Sequence, residues 1–178
     1  MTATPIQPDE LRRVRLLLLD VDGVLTDGRL YFGADGKAAK CFHVRDGLGI
    51  ALLLQAGVEI GLISGRDDAS VRARARELKI GILLLGERGK AEAVARLLAE
   101  KDIAPADVVY LADDVNDLAA LEQVGIPIAV ADAHPSVLAA VRFVTRERGG
   151  RGAVREVADA ILAARGSSSD VNLEEVTQ

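Results

Sequence analysis

The chain has 178 residues, enough for one core of ordinary size and few for two, and 49% hydrophobic with 28% charged residues excludes a disordered chain. A net charge of -5 argues against a nucleic-acid groove, and 3% aromatics with no Trp removes base-stacking platforms. The single cysteine, Cys41, excludes an intrachain disulfide, and no window is apolar over a membrane span, so the expectation is a cytoplasmic protein with no membrane or nucleic-acid partner.

Residues 1–10, with Pro5 and Pro8, read as a loose leader ahead of one domain over 11–165. Val14 and the run Leu16-Leu17-Leu18-Leu19 then suit a strand buried on both faces, ending in Asp20-Val21-Asp22-Gly23. In open α/β sheets ligands sit outside the carboxyl ends of such strands. Two carboxylates so close repel unless a cation or a shared proton intervenes, so Asp20 and Asp22 point to a metal, to catalysis, or to both; a plain Asp-Gly turn is the other reading.

Residues 28–44 hold two short runs joined by a segment containing Asp35-Gly36, the pattern of a hairpin inserted above the strand tips. Cys41 in its second arm is expected as a small packing residue. Asp46 is expected to cap a helix from about Gly47 to Gln55, which Gly57 ends. A second buried strand, Val58 to Ile63, closes in Ser64-Gly65-Arg66 at the mouth of a basic helix over 68–79, and a hydroxyl with a glycine amide there suits an anion. Ile82 to Leu85 is a third strand. Lys90 then opens a helix running to about Lys101, and a lysine in a first turn is badly placed for the helix dipole, which singles it out.

Strand Val108 to Ala112 ends in Asp113-Asp114-Val115-Asn116-Asp117, a second strand tip crowded with carboxylates. A helix over 117–123, a strand from Ile126 to Val130, a short helix after His134-Pro135, a short strand near Phe143-Val144 and a helix from about Gly152 to Ala164 complete the alternation. It implies an α/β fold with a doubly wound, mainly parallel sheet and helices on both faces. His134-Pro135 is expected to shape a turn. The polar segment 166–178 reads as a flexible C-terminal tail.

In chain order the strand ends thus carry a carboxylate pair, a hydroxyl with glycine, a lysine just beyond, and a carboxylate cluster. This order resembles the haloacid dehalogenase superfamily of phosphotransferases over roughly residues 14–165. The resemblance implies that Asp20 is a nucleophile forming an aspartyl-phosphate and that Asp22 protonates the leaving alcohol and then activates water. It further implies Mg²⁺ held by Asp20, the Asp22 backbone carbonyl and Asp113, phosphate held by Ser64, Gly65 and Lys90, and Asp114 with Asp117 orienting Lys90 or a metal-bound water.

The segments 22–28, 42–47, 64–66, 130–135 and 149–156 are similar to the capless branch that removes phosphate from 3-deoxy-D-manno-octulosonate (KDO) 8-phosphate for lipopolysaccharide. That similarity implies substrate contacts at Asp22, His43, Val44, Arg45, Asp46, Gly47, Arg66, Arg74 and Lys90. It also implies a homotetramer whose sites are completed by a neighbouring subunit, with Gly149 to Arg151 and the tail approaching that neighbour's site. Two departures stand out: Ala112 where the branch usually has glycine, and Ala51 where it often has a basic residue. The rival substrate is the nine-carbon KDN 9-phosphate, whose enzymes tend to carry glutamate at the position of Arg66. A phospho-acceptor receiver and a non-catalytic oligomerisation module are the other classes weighed. A receiver places its acidic pair on separate strands, and a non-catalytic module would lack Asp20.

Overall fold

The structure, a computed structural model, describes residues 7–34 and 38–166. Its frame is a six-stranded sheet of β1 (Leu16–Asp20), β4 (Glu59–Ser64), β5 (Ile82–Leu85), β6 (Val108–Ala112), β7 (Ile126–Ala129) and β8 (Phe143–Val144). The strand order is β5-β4-β1-β6-β7-β8, and every pairing in this sheet is parallel. The chain leaves β1 toward β4 on one side and later returns to β6 on the other. β1 therefore lies at the switch point of the topology, where open sheets of this type form a crevice. Its four leucines are 0% exposed, which is why an unbroken apolar run rather than an alternating one forms this strand.

Register brings the chemistry-bearing tips together. Asp20 is level with Ile63, one residue before Ser64, while Leu19 pairs with Leu111, two residues before Asp113. The crossovers are the helices α2 (Val44–Gln55), α3 (Ala69–Glu77), α4 (Lys90–Lys101), α5 (Leu118–Leu121) and α6 (Pro135–Ala140), and α7 (Ala153–Ala164) closes the chain. α2 packs on α7 and α4 on α5, so the sheet is covered on both faces as right-handed crossovers require. Within the described residues no helix is long and apolar enough to cross a membrane.

Several boundaries differ from expectation. The leader is not loose throughout: Pro8–Arg12 forms a helix, α1, started by Pro8 in its first turn and by the Gln7 amide donating to Glu10 at 2.9 Å. It is tied down by Arg142 on Glu10 and by Arg12 Nε donating to the Ala164 carbonyl at 3.0 Å, contacts across more than 130 residues that local sequence does not display. The hairpin is β2 (Tyr31–Phe32) paired antiparallel with β3 (Ala38–Ala39), its Asp35-Gly36 turn lying outside the described residues, as does the tail beyond Gly166. Cys41 is exposed rather than packed. The helix expected over 117–123 is shorter, a 3-10 turn Val115–Asp117 followed by α5.

α2 begins at Val44, so Asp46 is not its cap. Asp46 is 1% exposed and instead accepts hydrogen bonds from the Gly152 amide at 3.2 Å and the Arg155 amide at 2.8 Å, satisfying the start of α7. Burial raises its pKa, and those backbone bonds pull against the rise.

Candidate active site

The turn after β1 makes the site possible. Residues Val21–Leu25 form one wide turn closed by the Thr26 amide on the Val21 carbonyl at 3.1 Å. The fully buried Thr26 hydroxyl accepts from the Gly23 amide at 3.4 Å and the Gly28 amide at 3.3 Å. Gly23 has φ +94°, and a Cβ there would lie 1.9 Å from Asp113 Oδ2. Only glycine lets the turn pass under that carboxylate. Behind the turn, the Gly150 amide donates to the Val24 carbonyl at 2.8 Å, and a Cβ on Gly149 would lie 1.6 Å from the Gly23 carbonyl oxygen. Gly149 and Gly150, expected to reach a neighbouring subunit, thus brace this chain's own acidic turn, while Arg151 is exposed.

At the floor of the crevice Lys90 is 4% exposed, and its Nζ is 2.6 Å from both Asp20 Oδ1 and Asp117 Oδ1. Asp117 also accepts from the hydroxyl of Tyr110, a fully buried residue of β6. Carboxylate oxygens of Asp20, Asp113 and Asp117 lie within 4.8 Å of one another. Burial, followed by the neighbouring charge of Asp117, pushes Asp20 up to about 6, against the pull of Lys90. Burial and the Asp20 carboxylate push Asp113 up to about 8. Burial opposes the Lys90 charge, but Asp20 and Asp117 outweigh it and hold the ammonium above its ordinary pKa. Burial and the charge of Asp117 raise the Tyr110 phenol well above its ordinary value, so it acts as a donor.

One ammonium among three carboxylates leaves a negative excess, and Asp113 Oδ1 and Asp117 Oδ2 are buried with no hydrogen-bond partner. An all-oxygen donor set with uncompensated charge fits a hard divalent cation. Asp22 does not put its carboxylate into this cluster; its Oδ1 accepts a hydrogen bond from Lys40.

The remaining expected residues divide into two groups. Ser64, 3% exposed, stands at the end of β4, its hydroxyl accepting from the Arg66 amide at 3.1 Å, with Gly65 and Arg66 exposed in the turn beyond. Asp114 does not reach Lys90; its carboxylate accepts from the Val115 amide at 2.7 Å and caps the 3-10 turn, because the backbone turns outward there. His134 shapes its turn as expected, Nδ1 accepting from the Ser136 amide at 3.2 Å while its own amide donates to the Asp113 carbonyl at 2.7 Å. Ala112 is 0% exposed and sits in regular β6 pairing with Ala129.

The segment 43–47 forms a rim rather than part of the carboxylate centre. Val44 is 81% exposed, and the His43 Nδ1 is buried at 4.0 Å from Asp46 Oδ2. Arg45 faces a cleft of about 560 Å³ that it shares with Arg146, Arg151 and Arg155 and that none of the clustered carboxylates lines. Gly47 leaves the space that the Arg74 guanidinium fills, since a Cβ would lie 2.2 Å from its Nη2. Arg74 pairs with Glu77 at 2.9 Å and lies over the Phe42 ring at 5.9 Å. Sequence reasoning missed Lys40 and Tyr110. A tyrosine inside an otherwise apolar strand requires a hydroxyl partner, a signal that could have found Tyr110.

Residues 82–157 match the family of haloacid dehalogenase-like hydrolases. The 3-deoxy-D-manno-octulosonate 8-phosphate phosphatase of Escherichia coli K12 is 45% identical over 165 residues, covering 91% of this chain and 88% of that protein. The crystal structure of the Yersinia pestis phosphatase of the same name superposes with a TM-score of 0.88 at 42% identity, covering 92% of this chain and 88% of that one. The Moraxella catarrhalis phosphatase, solved in complex with a magnesium ion, a phosphate ion and KDO, gives a TM-score of 0.86 at 35% identity, covering 89% and 91%.

Proposed function

The chain belongs to the 3-deoxy-D-manno-octulosonate 8-phosphate phosphatases of the haloacid dehalogenase superfamily, and from that premise we propose that it hydrolyses KDO 8-phosphate to KDO and inorganic phosphate. Magnesium is the proposed ion, held by Asp20, Asp113 and the Asp22 backbone carbonyl, and it would neutralise charge on the phosphoryl oxygens. The observation that carries the reading is the meeting of Asp20 and Asp113 at adjacent strand ends, with Lys90 2.6 Å from Asp20 and an unpartnered Asp113 oxygen beside it.

In this reading Asp20 attacks phosphorus and takes the phosphoryl group as an aspartyl-phosphate. Lys90 holds the Asp20 carboxylate in place and offsets charge on the transferring group, and Asp117, anchored by Tyr110, holds Lys90. Asp22 gives its proton to the bridging oxygen as the bond to the sugar breaks, then takes one from the water that attacks the aspartyl-phosphate. Ser64 and the Gly65 amide bind phosphate oxygens. Arg66 and Arg74 offer guanidinium forks to the sugar carboxylate, and His43, Val44, Arg45, Asp46 and Gly47 border the sugar.

Residues 11–165 act as one catalytic domain in this proposal, in the cytoplasm, as part of lipopolysaccharide biosynthesis. The chain works as a homotetramer. Tyr31 and Phe32 on the hairpin and Val44 on the rim, 48%, 68% and 81% exposed, supply the apolar surface that such an assembly would cover. Phosphate release by chelator-stripped protein, with and without Mg²⁺, across a panel of phosphorylated sugars tests the assignment. The expected result is Mg²⁺-dependent turnover greatest on KDO 8-phosphate. Equal or better turnover of KDN 9-phosphate or a hexose phosphate refutes the substrate.

A further inference from the structure

Two buried lysines meet the two aspartates that open the site. Lys90 serves Asp20, and Lys40, whose side chain is 1% exposed, donates to Asp22 Oδ1 from the arm of the hairpin just past β3. A lysine is rarely buried so completely unless its charge is paired. The Asp22 side chain is 29% exposed and stands in the wide turn with φ -83° and ψ 111°, outside any helix or strand that would fix it. Among the described residues, Lys40 is the group that hydrogen-bonds its carboxylate. Asp68, the cap of α3, also lies in the field of this ammonium.

A proton donor works only when its oxygen is held within hydrogen-bond reach of the leaving atom, and misplacement by about 1 Å costs on the order of 100-fold in rate. We propose that Lys40 is the positioning residue for Asp22, so that the hairpin serves the proton-transfer step as well as restricting access to the site. The proposal rests on the reading of Asp22 as proton donor. In that step the Asp22 hydroxyl proton passes to the bridging oxygen while the P–O bond to the alcohol breaks and the phosphoryl group forms its bond to Asp20. The electron pair of the broken bond leaves on the alcohol oxygen that the proton neutralises.

The signature of such a role is its dependence on the leaving group. An alkoxide must be protonated as it departs, whereas p-nitrophenolate leaves without help. The test compares the single-turnover rate of alcohol release, together with steady-state KM, for the full chain with Mg²⁺ on KDO 8-phosphate and on p-nitrophenyl phosphate, in wild type, Asp22→Asn, Lys40→Met, Lys40→Gln and Lys40→Arg. Alcohol release precedes the attack of water on the aspartyl-phosphate, the step that both substrates share. Thermal melting verifies that each variant is folded, and Lys40→Gln, which keeps a donor without the charge, stands in if the methionine variant is not.

Asp22→Asn calibrates the readout and is expected to lose far more on KDO 8-phosphate than on p-nitrophenyl phosphate. Lys40→Met is expected to follow it, with the rate of alcohol release from KDO 8-phosphate down roughly 10- to 100-fold and that from p-nitrophenyl phosphate down several-fold less. Lys40→Arg is expected to recover most of the loss. If Asp22→Asn loses equally on both substrates, the reading of Asp22 fails and the proposal with it. If Asp22→Asn discriminates while the Lys40 variants lose equally on both, lose only in KM, or lose nothing, the proposal alone is overturned.

Discussion

The two sides of the crevice are built on opposite principles. On the strand side Asp20, Lys90, Asp117 and Tyr110 are all at most 4% exposed, and each is held by another. On the rim Val44, the first residue of α2, is 81% exposed, and Phe32 in the two-residue strand β2 is 68% exposed. A charged group fixed in a dry, braced setting needs no reorganisation when charge develops on a transferring phosphoryl group, whereas exposed groups stay free to meet a ligand that arrives from solvent. Under the proposed function, chemistry falls to the strand ends and substrate choice to the exposed groups around them, and each is expected to be perturbed without the other.

The largest effect is expected from the strand side. Asp20→Asn should remove turnover of every phosphate ester by on the order of 10⁴-fold or more, checked by phosphate release under saturating substrate, because it removes the attacking group itself. Gly23→Ala should be nearly as severe and should weaken Mg²⁺ binding measured by calorimetry, since its methyl would occupy the place of Asp113 Oδ2, 1.9 Å away, at a positive φ. Tyr110→Phe is expected to be milder, about 10-fold in kcat with KM held, because it frees Asp117 and through it Lys90 without touching substrate.

Two further measurements concern stability. Asp46→Ala should cost roughly 1–3 kcal/mol in denaturant unfolding, since it strands the Gly152 and Arg155 amides at the start of α7. The strand side should also betray itself in pH dependence. Asp20 at about 6 and Asp113 at about 8 both lie above their unfolded value, so the folded state holds protons that the unfolded chain has released. Metal-free protein should therefore lose stability as pH rises from about 4 to 8, and added Mg²⁺ should restore more at the upper end. The thermal melting point of chelator-treated protein across that range checks the sign.

Much of the strand side was legible in the sequence because its signals are local. Leucine runs breaking into Asp20 and Asp113, and a lysine at the wrong end of a helix, can each be read within a few residues. What escaped reading depends on contacts between distant segments. Asp46 reads as a cap for the helix beside it, but its partners lie 106 and 109 residues away. Gly149 and Gly150 carry no periodicity that would place them under the acidic turn, and Lys40 looks like any charged hairpin residue until the fold buries it. Asp114 shows a local capping bond to the Val115 amide, and of the two aspartates expected to orient Lys90 or a metal-bound water it is Asp117 that holds Lys90.

The division of labour is tested most directly by Arg66→Ala, which removes an exposed charge from the turn after β4 while leaving the buried network whole. The measurement is the ratio of kcat/KM on KDO 8-phosphate to kcat/KM on p-nitrophenyl phosphate, which lacks a sugar carboxylate. The expected result is a fall in that ratio of about 10- to 100-fold, the loss of one charge-assisted contact. A parallel fall on both substrates, leaving the ratio unchanged, would contradict the separation of chemistry from choice.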